Sequence, residues 1–65
     1  MNDLNLEAKM LSIRTGLKAS ACKAWMKEQG LQSILDLKAL WPELDHSDCM
    51  SKAAVEVERY ILFKE

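Results

Sequence analysis

Two glycines and one proline are spread through 65 residues, so little in the chain interrupts regular backbone structure. Two cysteines are too few for a disulfide-stapled mini-protein. Neither sign of charge dominates. Nine Lys+Arg against ten Asp+Glu give a formal net charge of −1, which excludes a simple polycation that condenses nucleic acid. Long apolar runs are missing as well, Tyr60-Ile61-Leu62-Phe63 being typical, so no segment is expected to span a bilayer. No basic stretch followed by an apolar one opens the chain, so no secretory signal is read and a cytoplasmic location is expected. What is present is a hydrophobic content of 49%, too high for an obligatorily disordered tail. The expectation is one soluble domain over residues 1–65.

A domain of this size buries only about 60% of the surface its unfolded chain exposes. Ordering costs about 1.5 kcal/mol per residue, which nearly cancels the gain from burial. A second copy or a protein partner would therefore be an accessible source of further stability.

Leu, Ala, Lys, Glu and Met dominate, and no strict alternation lasts long enough to read as a strand. The pattern predicts an all-α bundle of about four short helices. The first runs from Leu4 or Asn5 to Arg14, capped by Asn2, Asp3 or Asn5, with Leu6, Met10, Ile13 and Leu17 as its apolar stripe. Gly16 ends it. The second covers Lys18 to Gln29, turns Ala21, Cys22, Trp25 and Met26 inward, and closes at Gly30. Ser33, with Asp36 three residues on, reads as a cap for the third, whose inner residues are Ile34, Leu37, Leu40 and Trp41. Pro42 disfavours helical geometry at Trp41 and ends it there. Ser47 or Asp48 is expected to cap the last helix, which runs to about Lys64 with Met50, Ala54, Val57 and Ile61 in line and Ala53, Tyr60 and Phe63 widening the face.

The near-neutral total conceals an asymmetry. Up to Gly30 there are five basic and three acidic residues, net +2; beyond it there are four basic and seven acidic, net −3. The basic share coincides with Ala8 to Lys27, which read AKMLSIRTGLKASACKAWMK. This stretch resembles the helix-turn-helix of Cro-like and phage-repressor-like DNA-binding proteins. Gly16 falls in the turn, Leu11 and Leu17 take the apolar positions on either side, and Ser12 is the small residue inside the first helix. Cys22 and Trp25 take the inward positions of the second helix, and Ser20-Ala21 matches the family's usual wording near its start. Two helices cross this closely only when the turn is tight and the residue at nearest approach is small.

The resemblance implies duplex DNA as partner. Lys18, Ala19, Ser20, Lys23, Ala24 and Lys27 would form the exposed face of the reading helix, with Arg14 on the flanking backbone. It further implies a dimeric transcription regulator of phage or mobile-element type, reading two half-sites. Two departures stand out: only a handful of residues precede the motif, where the family has another helix, and Cys22 stands where valine or isoleucine is more usual.

The alternative reading is a small interaction module, an inhibitor or adaptor, in which the same stretch is a plain αα-corner. Tyr60-Ile61-Leu62-Phe63 is apolar all round one helical turn, so one neighbour cannot cover it. Val57, Tyr60, Ile61 and Phe63 are accordingly expected to form a partner or dimer surface. His46-x-x-Cys49 is a feasible ligand pair, but a structural zinc site needs four ligands and Cys22 has no neighbour in sequence, so no metal is expected. No nucleophile pattern or glycine-rich phosphate loop is present, so neither catalysis, a cofactor nor a small-molecule substrate is expected.

Overall fold

The computed structural model describes residues 3–64. Asp3 starts the first helix: its carboxylate accepts the Asn5 N–H at 3.0 Å and its carbonyl accepts the Glu7 N–H. Helix α1 (Leu4–Thr15) then runs to Gly16, which takes φ +74. No atom lies within 4 Å of where a Cβ would sit at Gly16, so the left-handed backbone rather than crowding selects glycine there. Asn2, the other cap considered upstream, lies outside the described residues.

The inner face of α1 differs from the stripe expected. Ala8 and Leu11 are buried, with Leu4 and Thr15 half-buried on the same line. Leu6 is 55% and Ile13 75% exposed. Both apolar sets repeat at helical spacing, and the small Ala8 decides between them, because it lets a neighbouring helix approach closely. Met10 and Leu17 keep part of the expected role, packing at the core's margin.

Helix α2 (Ala19–Gln29) begins after an extended Lys18 that offers no side-chain cap, and ends on Gly30, again left-handed. Ala21, Cys22, Trp25 and Met26 all point inward, as their spacing predicts. A 3-10 helix (Ile34–Asp36) follows and passes directly into the one-turn α3 (Leu37–Leu40). Ser33 caps the 3-10 helix by accepting the Leu35 N–H, and Asp36 reaches back to the Gln32 N–H at 3.1 Å. Ile34 and Leu37 are buried and Trp41 half-buried, whereas Leu40 faces solvent.

Trp41 takes φ −130 and ψ 71, the break that the following Pro42 favours. The chain then turns to α4 (His46–Lys64). Its cap is Asp45, whose carboxylate accepts the Asp48 N–H at 2.8 Å, two residues before the earlier of the two expected caps. Cys49, Ala53 and Val57 lie in the core, while Met50, Tyr60 and Ile61 pack at its edge. Phe63, expected on the inner face, is 82% exposed.

Helix α1 packs on α2, and α4 lies against both; α3 and the 3-10 helix close the remaining side. The Cα radius of gyration is 10.6 Å, close to the ~10.7 Å of a compact chain this long. Every buried residue among those described is apolar. Trp25 and Trp41 meet with ring centroids 6.4 Å apart, joining α2 to the end of α3.

Candidate nucleic-acid interface

The α1–α2 corner is built from short-range polar contacts over an apolar seal. Gly16 N–H donates to the Ser12 carbonyl at 2.8 Å and closes α1. The Ser12 hydroxyl donates to the Leu17 carbonyl, and Thr15 Oγ1 donates to the Leu11 carbonyl at 2.8 Å while accepting the Leu17 N–H at 3.3 Å. Two hydroxyls thus satisfy groups that a three-residue turn would leave open. Ser12 does more here than be small, a role invisible in a motif that asks only for size.

Beneath the turn lie Leu11, Cys22 and Trp25, all buried. Thr15 Oγ1 and Cys22 Sγ are 4.0 Å apart. Burial pushes the Cys22 thiol above its ordinary value, and the Thr15 contact opposes that rise. Cys22 is thus a small buried apolar part of the seal. Cys49, the other free cysteine, is also buried, with its thiol directed at the Trp41 and Leu44 carbonyls at 3.8 and 3.9 Å. Among the described residues no three His, Cys, Asp or Glu side chains gather into a metal-binding group.

The outer face of the corner carries the remaining motif positions. Arg14, Lys18, Ala19, Ser20 and Lys27 are exposed, and Lys23 and Ala24 are half-buried. Ser20, Lys23 or Ala24, and Lys27 recur at three- and four-residue steps, one line along α2. No acidic residue stands in the first turn of α2; Glu28 lies at its far end.

The expected partner surface is not brought together. Val57 is fully buried, and Tyr60 and Ile61 rest against the core margin. Val57 belongs to the buried line of α4 because it follows Ala53 by one turn, so it is removed from the surface set. Phe63 stays outside, and Leu62, at 70% exposure, and Val55 join it. The seven-residue step from Val55 to Leu62 is the sequence signal that could have found them. A second apolar surface is the outer line of α1, where Leu6 and Ile13, expected inside, are exposed and half-buried Met10 lies between them. There Met10, Ile13 and Arg14 line a shallow cavity of about 230 Å³.

Comparison of the chain with protein-family models, curated proteins and solved structures returns no match. No helix among the described residues is long and apolar enough to cross a membrane.

Proposed function

We propose that the chain is a small DNA-binding regulator that presents α2 to the major groove of duplex DNA. The observation that carries the reading is the agreement between motif and burial. Leu11, Cys22 and Trp25, inward in the helix-turn-helix pattern, are buried, while Arg14, Lys18, Ser20 and Lys27, outward in it, are exposed. Helix α4 packs against both α1 and α2 and so supports the corner from behind. Small Ala19 and Ser20 permit close approach to base edges, and Lys23 and Lys27 reach phosphates or guanine from the next turns. Few cations take part, so binding by a single copy is weak and its salt dependence shallow.

The test is retention on duplex DNA at low salt. Wild-type protein binds, and Lys23→Glu combined with Lys27→Glu abolishes binding while leaving the helical circular dichroism signal intact. Absence of wild-type binding, or binding indifferent to both changes, sinks the proposal.

A specific observation favours a second reading. The exposed Leu6 and Ile13, with Met10 between them and Lys9 and Arg14 alongside, form an apolar strip edged by basic side chains. That chemistry suits an acidic amphipathic helix of a partner protein. Under this reading Ile13→Glu eliminates partner binding and the Lys23/Lys27 changes do not.

A further inference from the structure

Helix α4 shows two faces. Cys49, Ala53 and Val57 lie in the core, whereas Asp48, Ser51, Val55, Glu58, Arg59 and Leu62 are exposed along the opposite side. Asp48, Val55 and Leu62 recur every seven residues, with Ser51 and Glu58 between them, the spacing of a seam between two paired helices. The stripe covers 14 residue steps, or about 21 Å of helix. Val55 and Leu62 are 52% and 70% exposed, and Phe63 extends the apolar end.

Toward the ends of this stripe stand acidic Asp48 and basic Arg59, with acidic Glu58 beside Arg59 on the other flank. A parallel pair would set Asp48 against Asp48 and Arg59 against Arg59. An antiparallel pair sets each Asp48 toward the Arg59 of the other copy. Arg59 meets Glu56 at only 3.9 Å and its side chain is 69% exposed, so it remains available.

We propose that the chain pairs with a second copy of itself through the outer face of α4, antiparallel, about a two-fold axis at Val55. The two Val55 side chains meet on the axis. Arg59, four residues past it, reaches toward the partner's Asp48, seven residues before it. Leu62 and Phe63 close each end over the first turn of the partner's α4. The contact is isologous, so one patch supplies both halves and assembly stops at two copies. The inference rests on α4 alone and is independent of any contact between α2 and DNA.

Sedimentation equilibrium between about 1 µM and 1 mM measures the pairing directly. A dimer is expected, and Asp48→Arg or Arg59→Asp alone weakens it by at least about tenfold. The double variant Asp48→Arg/Arg59→Asp recovers most of the loss. Val55→Cys cross-links the two copies under mild oxidation, much faster than Ser47→Cys, because only position 55 meets itself across the axis; buried Cys22 and Cys49 do not compete. A monomer across the whole range overturns the proposal, as does a dimer whose affinity ignores both reversals or is not recovered by the double change. If a reversal unfolds the chain, the cross-linking comparison decides alone: equal rates at positions 55 and 47 reject the axis.

Discussion

The carboxylate of Glu7 accepts the backbone N–H of Ile34 at 3.0 Å, fastening the first turn of α1 to the first residue of the 3-10 helix, 27 positions later in sequence. It is a helix cap supplied from another helix. Ser33 satisfies the Leu35 N–H, and Glu7 satisfies the one before it. Replacing Glu7 by Ala leaves the half-buried Ile34 amide open. The loss should be about 1–2 kcal/mol. Glu7→Gln retains an acceptor and should lose less. Denaturant unfolding of the two variants, with amide exchange at Ile34, measures the difference.

Gly16 gives a second prediction. Space for a methyl group exists, so Gly16→Ala costs only what a left-handed L-residue costs, about 1–2 kcal/mol. A synthetic chain with D-alanine at this position is expected to be at least as stable as the natural one. If D-alanine destabilised as much as L-alanine, the account of the turn would be wrong.

Val57 and Phe63 separate core from surface on a single helix. Val57→Asp buries a lone carboxylate and is expected to abolish folding. Phe63→Asp leaves the circular dichroism of the dilute protein unchanged. The pair of spectra checks the revised surface set.

The Cys22 thiol makes a prediction about pH. Its folded value is raised, so the folded state holds the thiol proton more tightly than the unfolded chain does. The stabilisation is complete below the ordinary thiol value of 9.0 and is lost as pH rises through the higher folded value. Unfolding midpoints of the wild type should therefore fall above that point more steeply than those of Cys22→Ala.

The proposed interface makes a prediction about salt. Lys27→Ala should weaken DNA binding nearly uniformly across sequences and lower the slope of log affinity against log salt by about one. Ser20→Ala, at a base-facing position, should leave the slope unchanged. Filter binding at several ionic strengths distinguishes the two effects.

Local signals were the readable part of this chain. Both glycine ends, the break at Trp41-Pro42 and the inner line Ala21, Cys22, Trp25 and Met26 follow from residue type and helical period alone. The inner face of α1 differs from its expected stripe because the helix holds two apolar lines, and periodicity cannot say which one meets a neighbour; the close approach permitted by Ala8 settles it. The cap of α4 moved to Asp45 because Asp, Ser and Asp at 45, 47 and 48 are all capable donors of an oxygen, and only the turn after Pro42 chooses between them. The Glu7–Ile34 tie has no local signature at all, since it exists only once α1 and the 3-10 helix are packed together. In the candidate interface Arg14, Lys18, Ala19, Ser20 and Lys27 are exposed while Lys23 and Ala24 are half-buried, and the hydroxyl contacts of Ser12 and Thr15 that hold the corner have no sequence signature.

The two indoles have one further consequence. Trp25 is buried on α2, and Trp41 stands at the end of α3 with the Lys52 ammonium 5.3 Å from its ring centre. At 6.4 Å and a 31° tilt the two indoles are close enough for their electronic transitions to couple, so an exciton band in the circular dichroism of the folded chain is expected. That signal vanishes when α2 and α3 part. The molecule thus contains its own optical gauge of closure, readable without a label.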